Sequence, residues 1–315
     1  MAIESSNPDL VALADDVATA ADSDAADALS RWNEAVDGLS PDLRQALGWL
    51  VESRLTWKGQ AALRSDPHGQ TLAFEWAAER NQRPSMPRLP FFSPRAAYAY
   101  CASLVVSRGG AKARDALRNG RPLLLGLRKD TSTLANKGRG VYDDWIAVLN
   151  GRGGLHAARF FPACTEPGAQ YSPRSAPAAK GGKVDARYAE VKFRKADGFD
   201  ADKDGIQDLG RLREGTYVFR ERSAFLGDRA FQSTTNETAE RDTDGDGWFT
   251  RADPSRIDTK GAGRSMLIHR GGASTDKQVN TWSAGCQTIP QNFYHDFLRT
   301  LGRPASFCYV LVNTR

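Results

Sequence analysis

Apolar residues recur at helical spacing from Pro8 to about Gly110. Leu10, Leu13, Val17 and Ala20 fall on one stripe. Ser40-Pro41-Asp42 opens another, with a capping serine and a proline at the first helical position. Leu47, Leu50, Leu55, Leu72, Phe74 and Trp76 continue these stripes, and the aromatics among them read as core. The proline-rich RPSMPRLPFFSPR at 83–95 breaks the pattern, and a short helical segment over 95–117 follows it. The spacing predicts an N-terminal helical domain over residues 1–117.

Beyond Asn119-Gly120 the period changes. Pro122–Leu127, Gly215–Phe219, Ser265–His269 and Phe307–Val312 read as buried strands, separated by connections rich in glycine and proline. Residues 168–185 read as a flexible loop, and 290–301 as an amphipathic helix with Phe293, Phe297 and Leu298 on one face. The expected fold class is α+β: a helical domain, then a mainly β domain over 118–315. A length of 315 residues suits two such domains.

Charge refines this division. Residues 1–60 hold eleven acidic against four basic side chains, a net of −7, so the remainder of a +5 chain carries +12. A basic body favours an anionic partner. No helix bears clustered Lys and Arg, and no aromatic stacking motif is present, which argues against nucleic acid. No apolar run reaches the length of a membrane span, and the acidic N-terminus lacks the apolar core of a Sec signal, so any export is expected to be non-classical. Cys101, Cys164, Cys286 and Cys308 are too few and too dispersed for a disulfide scaffold.

The densest chemical signal is Ile268-His269-Arg270-Gly271-Gly272 followed by Thr281-Trp282-Ser283-Ala284-Gly285-Cys286-Gln287. A strand ending in His and a small-residue turn ending in Cys can bring an imidazole beside a thiol, the minimum for cysteine nucleophilic catalysis. Gly285 allows the tight turn that would aim amides at a developing oxyanion. The same residues also fit a buried cysteine and a satisfied histidine.

His269, thirteen residues, then Ser283-Ala284-Gly285-Cys286 resembles the signature of the L,D-transpeptidase (YkuD-like) catalytic domain. Arg213–Phe219 is similar to that family's G-x-Y strand, and Trp282–Gln287 to a WSxGCQ subgroup; the resemblance covers roughly residues 120–315. It implies a peptidoglycan enzyme whose cysteine attacks the L-to-D bond of a tetrapeptide stem, releases D-Ala, and passes the acyl group to an amine or to water. It assigns Cys286 as nucleophile, His269 as base, the amides of Gly285 and Cys286 as oxyanion donors, and Ser283 as a brace. Ala284 stands where a second His is usual, and Gln287 where Arg or Asn is common. Trp282, Gln287 and Arg270 are candidate substrate contacts, Arg270 as a replacement positive charge. No organic cofactor is expected.

Two acidic loops form a second signal. Asp242, Asp244 and Asp246 with Asp253 at the twelfth position follow the calcium-loop pattern, with Gly247 at the sixth and the carbonyl of Trp248 at the seventh. Asp200, Asp202 and Asp204, with Asp208 at the ninth position, repeat it, although Arg211 occupies the twelfth. Structural Ca²⁺ is expected at these loops, which would suit an extracytoplasmic site of action. Tyr142-Asp143-Asp144-Trp145 reads as a structural turn or cap. His68, His156 and His295 lack partner spacing.

Two functions follow as expectations. The first is an L,D-carboxypeptidase or transpeptidase acting in the periplasm or cell wall, delivered as an antibacterial effector or lysin. Its helical region would then meet a secretion machine or an immunity partner. The second is a non-catalytic, calcium-stabilised wall-binding module.

Overall fold

The computed structural model describes residues 8–37, 39, 41–69, 72, 83–91, 93–151, 156–177, 185–250, 253–274 and 279–314. The chain is α+β, and its internal contacts divide it between Gly109 and Gly110. That division lies ahead of the expected boundary at 118.

The first unit holds α1 (Pro8–Ala21), α2 (Ala25–Val36), α3 (Pro41–Arg54), α4 (Trp57–Ser65) and α5 (Pro94–Arg108). Asp24 caps α2 by accepting the amides of Ala26 and Asp27, and Ser93 caps α5 by accepting that of Ala96. Leu10, Ala14 and Val17 of α1 join Ala28 and Trp32 of α2 and Leu47, Leu50 and Val51 of α3 in one core. Alanines at these positions let the helix axes approach closely, while Trp32 and the leucines fill the volume between them. Phe74 and Trp76 lie outside the described residues.

The second unit opens with α6 (Ala111–Arg118), which packs on the strands β1 (Leu123–Arg128) and β11 (Phe307–Asn313). The expected segment over 95–117 is therefore two helices, interrupted at Gly109-Gly110. Between β1 and β11 run β2 (Asp144–Asn150), β3 (Ala157–Ala163), β4 (Leu209–Leu212), β5 (Gly215–Phe225), β6 (Asp228–Ser233), β7 (Ala239–Asp242), β8 (Ile257–Asp258), β9 (Ile268–Arg270) and β10 (Gln287–Ile289).

Eight of these strands form one sheet in the order β10-β9-β6-β5-β11-β1-β2-β3. Its two edges nearly meet: the amide of Cys164, just past β3, donates to the carbonyl of Thr288 at 2.9 Å, and Thr288 donates back at 2.8 Å. A nearly closed sheet explains why β1 is buried along its whole length, so that its sequence is an uninterrupted apolar run. β4, β7 and β8 form a separate three-stranded sheet.

The helix α7 (Gln291–Leu301) buries Tyr294, Phe297 and Leu301, with Leu298 partly covered. Phe293, expected on the buried face, is 36% exposed because the inward stripe runs one step further round the helix. Residues 168–177, expected to be flexible, are short 3-10 turns with Ala169, Gln170, Tyr171 and Ser172 buried. Ala169 and Tyr171 pack with Tyr188 and Leu209, so apolar anchors fix a segment that polar composition had made look loose. Residues 178–184 are outside the described set.

Candidate active site

β9 and β10 are parallel neighbours in which Gln287 pairs with Ile268 and Thr288 with His269. Side chains alternate across a sheet. Ile268 and Ile289 enter the core cluster, and Gln287 points the same way, toward Tyr309. His269 and Cys286 fall on the opposite parity and line one cleft of about 770 Å³.

The turn before Cys286 is braced from within. Ser283 Oγ donates to the carbonyl of Cys286 at 2.7 Å and accepts the amide of Gly285 at 3.1 Å. Gly285 has φ +128, and a Cβ there would lie 2.3 Å from the carbonyl oxygen of Gly210, so no other residue fits. The amide of Gly285 is thus committed to Ser283, which leaves the Cys286 amide as the candidate oxyanion donor of the two. Trp282 also adopts a positive φ, at 56°, and lines the cleft.

His269 Nδ1 lies 2.7 Å from the carbonyl oxygen of Arg270. A carbonyl only accepts, so the neutral ring carries its proton on Nδ1 and leaves Nε2 as the basic atom. Burial, reinforced by the neighbouring Arg270 charge, lowers the imidazole pKa to about 4. The Phe225 ring meets the imidazole edge-on at 4.8 Å between centroids and supplies much of that apolar setting. Burial also pushes the Cys286 thiol up to about 12, and its Sγ is 3.7 Å from the Ser265 carbonyl oxygen. The resting pair is therefore a neutral thiol and a neutral imidazole. Glu237, buried nearby and held by the Met266 amide, is raised to about 8 by desolvation.

Two expected contacts are placed elsewhere. Arg270 forms an ion pair with Asp228 at 2.6 Å and donates to the Leu226 carbonyl at 2.8 Å, so its charge is already engaged. Gln287 is fully buried: its amide nitrogen donates to the Gly285 carbonyl at 3.2 Å, and its Oε1 accepts the Tyr309 hydroxyl at 2.9 Å. It supports the turn from behind. The cleft is instead lined by Tyr171, Arg194, Lys195, Asp197, Arg222 and Arg264, among others. Sequence reading passed over them because Arg194, Lys195 and Asp197 share one connection that carries no recognisable motif, and Tyr171, Arg222 and Arg264 come from other segments. The surplus of positive charge in this half of the chain was their only signal.

The acidic loops form compact groups. One ligand atom from each of Asp242, Asp244 and Asp246 lies within 4.8 Å of the others, and the same holds for Asp200, Asp202 and Asp208. Asp253 and Asp204 stand outside these groups. Asp253 accepts the Thr243 and Thr250 amides, and Asp204 accepts the Ile206 amide. The amide of Trp248 donates to Asp246 at 2.8 Å. Arg211, at the twelfth position of the earlier loop, turns away into buried ion pairs with Glu166 and Glu240, each at 2.8 Å. Asp242 is 1% exposed, and its Oδ1 is a buried oxygen with no hydrogen-bond partner. Burial and then Asp253, Asp246 and Asp244 push its pKa up to about 7. A clustered, all-oxygen donor set with an unsatisfied buried carboxylate fits a hard cation such as Ca²⁺.

Asp144 is buried and accepts from the Lys129 amide and from both the amide and hydroxyl of Thr165, each at 2.7 Å. Those bonds make it a strand-joining residue, in line with its structural reading. The four cysteines are free thiols, and Cys101, Cys164 and Cys308 are buried. Among the described residues no helix is long and apolar enough to cross a membrane. The chain matches no family model, and neither a curated protein nor a solved structure matches it significantly.

Proposed function

We propose that the second unit is a peptidoglycan-modifying cysteine enzyme acting on the tetrapeptide stem as an L,D-carboxypeptidase or L,D-transpeptidase. The supporting observation is that His269, on β9, and Cys286, one residue ahead of the neighbouring parallel strand β10, line a single cleft.

In this reading Cys286 Sγ bonds to the carbonyl carbon of the third stem residue while its proton passes to His269 Nε2. The tetrahedral oxyanion lies toward the Cys286 amide. Collapse breaks the bond to the terminal D-Ala, whose nitrogen takes the proton from His269. A water or an amine then attacks the thioester, giving the shortened stem or an exchanged or cross-linked product. With a neutral resting pair, proton transfer accompanies attack, and a substrate that excludes water favours it.

Ca²⁺ bound by Asp242, Asp244 and Asp246, and by Asp200, Asp202 and Asp208, would neutralise clustered carboxylates and hold these long connections in place; its role is structural. We place the site of action in the periplasm or cell wall, with the helical unit serving delivery through contact with a secretion machine or an immunity protein.

Mass spectrometry of tetrapeptide muropeptides incubated with the protein and with Cys286→Ala tests this. Loss of D-Ala marks carboxypeptidase action, a mass-shifted tetrapeptide marks exchange, and a dimer marks cross-linking, each absent with the variant. Unchanged muropeptides in every sample would sink the enzyme reading and favour a wall-binding module.

A further inference from the structure

The cleft beside Cys286 carries an exposed arginine set against two aromatic rings. Arg194 lies 5.8 Å from the Tyr171 ring centroid and 5.9 Å from that of Trp282. Its backbone amide donates to the Gln170 carbonyl at 2.9 Å. Tyr171 is itself buried, at 4% exposure, and Trp282 sits in the turn that carries the nucleophile. Two aromatic rings thus flank the guanidinium at the cleft wall, the Tyr171 centroid also lying 6.0 Å from Lys195 Nζ and that of Trp282 5.6 Å from the Arg270 guanidinium.

Of the other cations lining the cleft, Arg222 and Arg264 also lack a carboxylate partner among the described residues but have no aromatic ring of those residues against them, while the remaining two are paired. Lys195 is paired with Asp197 at 3.0 Å, and Arg241 with Asp258 at 2.6 Å. Among the described residues no carboxylate pairs with Arg194. An arginine that lacks a carboxylate partner, lies against two aromatic rings and lines the same cleft as Cys286 is suited to a bidentate carboxylate from a ligand.

We infer that Arg194, flanked by Tyr171 and Trp282, is a specificity-determining residue that binds a free carboxylate of the peptide substrate next to the scissile bond. This rests on the stem-peptide reading above. Two groups of a tetrapeptide stem present that chemistry: the C-terminal carboxylate of the leaving residue and the side-chain carboxylate of a diamino acid at the third position.

The test is a binding cycle in the Cys286→Ala protein, which needs no turnover. Calorimetric Kd values are measured for three tetrapeptides: both carboxylates free, C-terminal amide, and side-chain amide at the third residue. Each is repeated with Arg194→Gln and Arg194→Lys added. A charge-assisted bidentate contact predicts that one amidation weakens binding about tenfold or more, and that Arg194→Gln abolishes this discrimination, with Arg194→Lys intermediate. The amide that matters identifies the carboxylate. Equal Kd values across the three peptides, or discrimination that survives Arg194→Gln, would overturn the inference. Muropeptide turnover by the unmodified protein reports separately on the enzyme reading, so the two can fail independently.

Discussion

Ser283 Oγ donates to the carbonyl of Cys286 at 2.7 Å while it accepts the amide of Gly285 at 3.1 Å, so one hydroxyl ties both ends of the nucleophile turn. Ser283 is fully buried, and its replacement by Ala leaves a carbonyl and an amide without partners. Ser283→Ala is expected to cost about 1–3 kcal/mol in stability. If the turn positions the nucleophile, kcat/KM on stem peptides falls at least tenfold as well. Denaturant unfolding and steady-state kinetics measure both, and an unchanged stability would show that the brace is energetically idle.

The imidazole of His269 gives a pH signature whose sign is fixed. Its folded pKa is depressed to about 4 from an ordinary value of 6.5, so the unfolded chain binds the extra proton first on acidification. The contribution is fully present above pH 6.5 and is lost as pH falls from there toward about 4, on the order of 3 kcal/mol in all. His269→Phe should flatten the stability profile in that window. A profile that keeps its slope in the variant would locate the titration in another group.

Calcium should raise the melting temperature of the whole chain through preferential binding to the folded state. Asp242, with its unpartnered buried oxygen, is the residue most dependent on that cation. Asp242→Asn removes charge while conserving shape, and it should abolish most of the calcium-induced rise while leaving the chelated protein as stable or more so. Melting curves with chelator and with millimolar calcium check this, and identical curves for the unmodified protein would remove the cation from both loops.

Behind the site, Gly126 on β1 accommodates Tyr309. A Cβ at Gly126 would lie 2.2 Å from the Tyr309 hydroxyl, the group that donates to Gln287 beneath the turn. Gly126→Ala should therefore destabilise the second unit by about 1–3 kcal/mol through overpacking. Adding Tyr309→Phe, which removes the clashing oxygen, should recover part of that loss. Additive effects of the two changes would mean that they do not share this contact.

Local periodicity determined much of this protein. The helical stripes of residues 8–54, the apolar runs that became β1 and β11, and the helix after Pro290 are set by side chains close in sequence, and each is found near its expected place. The His269 and Cys286 elements and the two acidic loops were equally legible, because a short motif carries its residues on a few adjacent positions. Tertiary structure decided everything that depends on closure of the sheet. The pairings of β11 with β1 and with β5, and of β6 with β9, join distant segments, and one side of β9 and β10 became interior as the sheet nearly closes at Cys164 and Thr288. That parity sent Gln287 inward to Tyr309 and left Cys286 at the cleft, a difference of one residue that spacing alone does not express. The pairing of β6 with β9 engaged Arg270 with Asp228, while Tyr171 and Trp282 flank Arg194 at the cleft wall. Charge at a site depends on which side chains remain uncompensated after folding, and that is a property of neighbours in space.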